Sequence, residues 1–473
     1  MFVPTLTVLL AAFSGCVATS TSYDTIVIGL GAAGATAAST LARAGRRVLA
    51  LEAQDRVGGR VRSEDVADGV VELGAEWIHG LSPSVVYDAA VQHKVPVLQQ
   101  DMPAAVFRSD DARRDEDLTE LFNYCAGVVN EGSDQPESMG QLVERKLRQY
   151  LAETKPELLK DAKLVEQFLD LMDRHVNTVD SSSSFHDVTT QSTFEHLNGS
   201  LYGSWHRHGF RTFFEILLNT YNGGEGLPSL DIKLKTEVTG VQWSARGVLV
   251  RCADGAQYQA DNVILTVSLG VLKERHASLF SPPLPQEKVA AIASISMGLL
   301  DKVVLVFDEP RPASGWNMFY WTADDVSKLP AEDRWLAKFM GSSTPAGANN
   351  TVTLWIAGDG AKFMETLPEE VVMNKAVELL QRFTGSDVTV PRPVAMLRST
   401  WYSNPFTRGT YTFDNVETPK RPGLRDALAT PLVAGGAPRV LFAGEATSNK
   451  HFLTVHGASE TGTREAQRLL AGQ

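Results

Sequence analysis

Cysteine is scarce in this chain, with three among 473 residues. So small a supply excludes a compact disulfide scaffold. Basic side chains are also short: 44 Lys and Arg face 56 Asp and Glu, a formal net charge of −12. Phosphate backbones are bound by clustered Lys and Arg, so nucleic acid is not the expected partner. The acid excess favours cationic ligands by long-range attraction, although many soluble proteins are acidic without such a role. A membrane-length apolar run is missing as well. Phe2 to Val17 is apolar or small throughout, but a spanning helix needs about 20 such residues. Hydrophobic content of 43% and charged content of 21% fit a folded soluble chain rather than a collagen-like or disordered one. At roughly 150 residues per domain, the length makes two or three domains.

The first residues belong to export rather than to the fold. Residues 1–18 read as a signal peptide, with Cys16-Val17-Ala18 as a small-x-small cleavage site, although they carry no positive charge. Acylation at Cys16 is the rival, and Phe13 speaks against it. Removal leaves Cys125 and Cys252, whose pairing the sequence does not decide. Asn198-Gly199-Ser200 and Asn349-Asn350-Thr351 are glycosylation sequons. The chain is expected to be secreted, without a stable membrane anchor, and monomeric.

Residues 23–54 form one unit. Tyr23 to Ile28 is a β-branched run ending at Gly29, as a buried parallel strand would. Gly29-Leu30-Gly31-Ala32-Ala33-Gly34 follows, then an alanine-rich helix stopped by Gly45. A second strand, Arg47 to Leu51, ends in Glu52, 18 residues beyond Gly34. From about 113 to 222 the spacing is helical: Leu118, Leu121, Phe122 and Cys125, then Leu142, Val143, Leu147 and Tyr150, then Leu164, Phe168, Leu171 and Met172. The Ser181–Ser184 run reads as a plain loop. From Val238 the period becomes two, and Asp254-Gly255 reads as a hairpin turn. A further β-rich stretch opens at Lys302. No internal repeat is evident.

The glycines have a physical purpose. Gly29 permits a tight turn, Gly31 lets the backbone approach a pyrophosphate, and Gly34 lets helix and strand pack closely. The helix N-terminus supplies free N–H groups and a favourable dipole. Glu52 can accept hydrogen bonds from a ribose hydroxyl pair. A lone glycine motif is weak, but strand, helix, strand and acid in order identify a dinucleotide site.

The segments Arg56-Val57-Gly58-Gly59-Arg60, Glu72-Leu73-Gly74-Ala75-Glu76-Trp77-Ile78-His79-Gly80, Phe442-Ala443-Gly444-Glu445 and Thr454-Val455-His456-Gly457 separate flavin from nicotinamide. With them the chain resembles the FAD-dependent amine oxidases, and the polyamine oxidase branch in particular, over everything after the signal segment. The resemblance implies an α/β fold: a Rossmann-like FAD-binding domain from 23–98, 228–283 and 428–470, interleaved with a substrate domain from 99–227 and 284–427 that joins a helical part to a mixed sheet. It implies that Gly29, Gly31, Ala33, Gly34, Glu52, Ala53, Gly58, Gly59, Arg60, Val238, Gly444, Glu445 and Val455 hold FAD. It further implies that Gly74, Ala75, Glu76, Trp77, Trp401 and Thr454 contribute to binding FAD. In isolation, Arg60 would read as a surface ion pair and Glu445 as a helix cap.

Lys302, His79 and Tyr411 are the residues to which the resemblance gives catalytic roles. A lysine opening a strand ordinarily guards an edge or reaches water; here it resembles the lysine that holds a water at flavin N5. His79 matches the histidine of the animal-type polyamine oxidases and can bind the amine or tune its protonation. Tyr411 matches one wall of an aromatic sandwich around the amine. Thr454 stands where many relatives carry the second aromatic, leaving an open passage, so His79, Tyr411 and Thr454 are the expected substrate contacts. Thr410 occupies the position of the flavin-bonded cysteine of the monoamine oxidases, which implies non-covalent FAD. Glu76 replaces a small or amide residue, and its side chain has no placement from sequence. His206 and His208 lack a third metal ligand and read as loop residues, so no metal is expected. Trp77 and Trp355 are more often core.

The reading is oxidation of spermine, spermidine or an acetylated form, with O2 as acceptor and H2O2 as product. Two rivals stay open: oxidation of a monoamine or L-amino acid, the latter needing an arginine clamp from Arg207 or Arg211, and a flavin-bound scaffold with little turnover. A histone demethylase is disfavoured for want of a long helical insertion.

Overall fold

The computed structural model describes residues 23–311, 315–385 and 387–472; the expected signal peptide, residues 1–18 with Cys16, lies outside them. The run Tyr23–Ile28 is the centre of a nine-stranded sheet. Val48–Leu51 and then Leu230–Lys233 lie parallel to it on one side, Gln257–Leu265 and then Ala437–Phe442 on the other. Successive side chains of a strand point to opposite faces, and both faces are covered. Val27, Ala50, Ile264 and Leu441 pack against the helix Ala32–Arg43. Ile26, Ile28, Leu49, Val263 and Leu265 pack on the other side, among residues of the helices Leu269–Leu279 and Gln286–Ser294. Gly247–Cys252 folds back antiparallel between Val238–Ser244 and the start of Gln257–Leu265, with Gly255 at φ 86° in the turn.

A six-stranded sheet runs in the order Ala395–Arg398, Leu300–Val306, Thr351–Ala357, Phe339–Ser343, Trp316–Tyr320, Ala104–Arg108. It is antiparallel except for its last pair. Helices Glu116–Glu131, Met139–Thr154 and Ala162–Asp180 bring the periodic residues named above into one core against it. The nine strands fall within residues 23–51, 230–281 and 432–442, the six within 104–108 and 300–398. Each sheet is thus assembled from separated stretches of chain.

Two details depart from the sequence reading. Helix ends at Asp180, and residues 181–202 carry none, so the helical stretch is interrupted. The serine run is also more than a loop. Ser181 and Ser182 are buried. Ser181 takes φ 55° at the helix end, accepts from the Leu299 amide at 2.7 Å and donates to Tyr411 O at 3.1 Å. A Cβ on Gly298 would fall 2.1 Å from Ser181 O, so glycine lets the two segments touch. The seam binds the helix end to the segment leading into Lys302. Cys125 and Cys252 are free thiols in separate cores, pushed by burial up to about 12 and about 11. Asn198 and Asn349 are exposed.

Candidate active site

A cavity of about 780 Å³ is lined by residues of both sheets. Its floor is the glycine turn. Gly29 has φ 91°, and a Cβ on Gly34 would fall 1.9 Å from Gly29 O. By contrast, a Cβ on Gly31 would meet nothing nearer than 3.9 Å, so that face is open to a ligand. The helix Ala32–Arg43 starts without a side-chain cap and without an acid in its first turn, leaving its first amides for an anion. Ala33 lines this cradle. Gly58 and Gly59, at φ 114° and 59°, close it from above. Arg56, which opens the segment through Arg60 but has no role legible from sequence, holds their loop by donating to Gly59 O at 2.7 Å and Val61 O at 2.9 Å.

Glu52 is buried at the end of its strand, beside Ala53. Its oxygens accept from Leu30 N at 2.7 Å and Gln54 N at 2.9 Å. Burial raises its carboxyl, against those amides and Arg56. Each oxygen keeps a lone pair for a ribose hydroxyl. Val238 opens its strand on the same wall. Uncapped amides, an open glycine face and a fixed acid fit a dinucleotide.

Arg60 and Glu445 meet at 3.0 Å across 385 residues of sequence. Glu445 opens a short 3-10 turn after Gly444, and no helix is capped by it. Thr412 and the Leu453 amide also donate to it. Burial pushes its carboxyl up, but Arg60, Thr412 and Arg425 outweigh this and hold it below the usual carboxylate range. Neither isolated reading of these residues holds: they are one buried tie between the cradle and the C-terminal segment.

Lys302 is not at a solvated edge. Its ammonium donates to Glu72 O, Gly74 O and Glu76 Oε2 at 2.9, 2.9 and 2.7 Å. Trp355 lies beneath it at 4.4 Å and stacks on Trp77 at 5.5 Å with an 11° interplanar angle. Both tryptophans line the cavity, as does Trp316. Ala75 sits between Gly74 and Glu76 in the same wall. Trp355 faces Lys302 in the strand register, a pairing that spacing alone does not reveal.

His79 Nδ1 donates to Leu201 O at 2.8 Å, so Nε2 keeps its lone pair. Burial holds its pKa below the usual value, and it is neutral at pH 7. The Tyr411 hydroxyl donates to Thr178 O and Val179 O at 3.1 and 3.2 Å, so the ring is what it offers the cavity. Trp401 is buried along the same wall. Thr454 caps the helix Val455–Ala471, accepting from Gly457 N at 3.0 Å and donating to His451 O at 2.7 Å. Its hydroxyl is thus engaged in the helix cap, while the residue itself lines the cavity with Val455 beside it. The Thr410 hydroxyl is bonded to the Leu300 backbone, and no cysteine lines the cavity among the described residues.

Asp180 was missed in the sequence. It ends the helix Ala162–Asp180 and lines the cavity beside Thr178 and Val179. Burial and Asp414 push its carboxyl up to about 7. Asp414 itself is paired with Arg425 at 2.9 Å. Among the described residues no group of three or more His, Cys, Asp and Glu could hold a metal. No described helix is long and apolar enough to cross a membrane.

A model of the family described as flavin containing amine oxidoreductase matches residues 32–470. The peroxisomal N(1)-acetyl-spermine/spermidine oxidases of Bos taurus and Homo sapiens are 32% and 31% identical to the chain, each aligning 94% of it with 94% of their own length. A solved double mutant of putrescine oxidase shares the fold at a TM-score of 0.68 and 19% identity, covering 95% of this chain and 99% of its own. Cradle, cavity and family match agree: the chain belongs to the flavin-containing amine oxidoreductase family and is an FAD-dependent amine oxidase.

Proposed function

We propose that the protein oxidises spermine, spermidine or an acetylated form at a C–N bond, yielding an imine that water hydrolyses to an aldehyde and a shorter amine. The observation that carries this reading is the charge of the cavity. Its three fixed cations, Arg60, Arg275 and Lys302, are each paired with a lining carboxylate: Glu445, Glu237 and Glu76. Glu131 and Asp180 line it without an ion pair to a basic side chain among the described residues, and Glu52 has only the more distant Arg56. An enclosed space with surplus carboxylate attracts a polycation. Three similar relatives are named for polyamine substrates, two for N(1)-acetyl-spermine/spermidine and one for putrescine.

Held by the Gly29–Gly34 turn, Glu52, Gly58 and Gly59, FAD would supply the redox chemistry: a two-electron acceptor for the carbon beside nitrogen, with O2 taking the two electrons and two protons as H2O2. The chain does the rest. Trp77, Trp355 and Tyr411 give an aromatic channel suited to an alkylamine. Neutral His79 offers Nε2 to the amine N–H, favouring a nitrogen that keeps its lone pair. A carboxylate substrate is disfavoured because no free arginine faces it. Arg211 is bound to Asp65 at 2.6 and 2.8 Å, Arg207 is exposed, and neither lines the cavity.

Anaerobic mixing of the flavin-loaded protein with spermine, spermidine, N1-acetylspermine, tyramine and an L-amino acid tests the proposal by absorbance. Polyamines should bleach the oxidised-flavin band. Bleaching by tyramine or the amino acid alone would overturn the polyamine reading, and bleaching by none would favour the scaffold.

A further inference from the structure

Lys302 and Glu76 are 3% and 6% exposed, and both line the cavity. An ammonium carries three protons and no acceptor. Glu72 O, Gly74 O and Glu76 Oε2, at 2.9, 2.9 and 2.7 Å, take all three. Lys302 thus has no proton left for a water, unless it releases one of these oxygens. Glu76 is differently placed. One oxygen holds Lys302; the other, Oε1, has no hydrogen-bond partner among the described residues and is not among the polar atoms sealed from the cavity.

We propose that Glu76 is the positioning partner of Lys302: it fixes the ammonium, cancels its charge beside the flavin, and offers Oε1 to the cavity as the acceptor that Lys302 cannot provide. The physical ground is the low dielectric of a buried site. An unpaired buried cation favours added negative charge nearby, whereas a tight ion pair exerts little net field. The flavin gains negative charge on reduction. Glu76 therefore lowers the tendency of the flavin to be reduced, relative to the same site with lysine alone. The inference rests on the FAD cradle and not on which amine is oxidised, and its test needs no substrate.

The test is the two-electron midpoint potential of the bound flavin, by dye equilibration, in the parent, E76Q, K302M and the double variant E76Q/K302M. Gln keeps an acceptor for Lys302 but no charge. E76Q should shift the reduction equilibrium upward about tenfold, which is about 30 mV for a two-electron couple. K302M should shift it downward, and the double variant should return to within about threefold of the parent. An E76Q shift below threefold with flavin bound would overturn the proposal, because a merely structural pair alters melting and leaves the potential in place. If E76Q retains no flavin, E76D decides: its charge is kept, and a tenfold shift there would overturn the idea equally. Melting of the apoproteins gives an independent reading. K302M should melt below E76Q/K302M, since only the single variant leaves a lone buried carboxylate, and the reverse order would count against the pairing.

Discussion

Asp180 and Tyr411 divide the work on one wall of the cavity. Tyr411 uses its hydroxyl on the helix-end carbonyls Thr178 O and Val179 O, so its ring is presented. Asp180 has no ion-pair partner among the described residues, and burial with Asp414 pushes its carboxyl up to about 7, so it holds its proton more tightly than an ordinary aspartate. An arriving ammonium draws that carboxyl into its charged form, and the helix C-terminus adds negative potential of its own. A charge-assisted contact of this kind contributes about 1.5 kcal/mol or more, roughly tenfold in binding. Asp180→Asn should therefore raise the KM for spermine about tenfold while kcat stays within about twofold. Steady-state oxygen uptake measures both, and an unchanged KM would remove Asp180 from substrate binding. Tyr411 was expected from its segment, but the part played by Asp180 was not legible from sequence. Asp180 falls in no motif, and its meaning comes from the helix end being sewn to the Tyr411 segment by Ser181. Glu76 was visible as an odd residue in a known segment, but its partner lies 226 residues away. The Gly29–Gly34 turn and Glu52, in contrast, were readable because all their geometry is local.

At the level of elements, the cradle depends on one strand–turn–helix unit whose glycines are not equivalent. Gly34 is where the helix Ala32–Arg43 meets the turn, and a methyl there would strike Gly29 O. Gly31 has ordinary backbone angles, φ −72° and ψ −175°, and a Cβ there would make only ordinary contacts, 3.9 Å from Gly58 O and 4.0 Å from Gly59 Cα. The two alanine variants should therefore separate folding from cofactor binding. Gly34→Ala should lower the melting temperature of the apoprotein, by overpacking that costs about 1–3 kcal/mol, and lose flavin with it. Gly31→Ala should leave the apoprotein melting within about 1 °C while weakening FAD about tenfold or more, as the methyl occupies the ligand's side of the turn. Calorimetry with a flavin fluorescence titration distinguishes them; equal apoprotein melting would contradict the packing role of Gly34. Element type was readable wherever periodicity was strong, as in Leu118 to Met172. The break after Asp180 was not, because Ser181 leaves the helix to meet tertiary partners rather than for a local signal.

For the molecule as a whole, stability is tied to buried acids. Glu72 is sealed, its carboxyl accepting from Phe210 N at 2.7 Å and the Ser63 hydroxyl at 2.9 Å. Burial pushes its pKa from 4.5 to about 8, against those bonds and Lys302. Between these values the folded chain holds a proton that the unfolded chain has lost. Its contribution is thus complete below about 4.5 and disappears as pH rises towards about 8. Glu72→Gln removes the titration and keeps a polar group of the same shape. The melting temperature of E72Q relative to the parent should rise by about 2 °C between pH 6 and pH 8. Taking the difference cancels the other titrating groups, and a flat difference would show that Glu72 is ionised in the folded protein.

The interleaving of the two sheets also sets a schedule. Residues 29–60 make most of the FAD cradle, yet its walls come last. Ala437–Phe442 pairs with Gln257–Leu265, Glu445 ties down Arg60, and Gly462 in the final helix lies where a Cβ would be 2.2 Å from Ala33 O. On the ribosome, the glycine turn therefore waits through some four hundred residues of synthesis before its other half arrives. A chain stopped short of that helix carries the whole dinucleotide motif and cannot close it around the flavin. Yellow colour in this protein is in effect a report that translation has passed the helix Val455–Ala471.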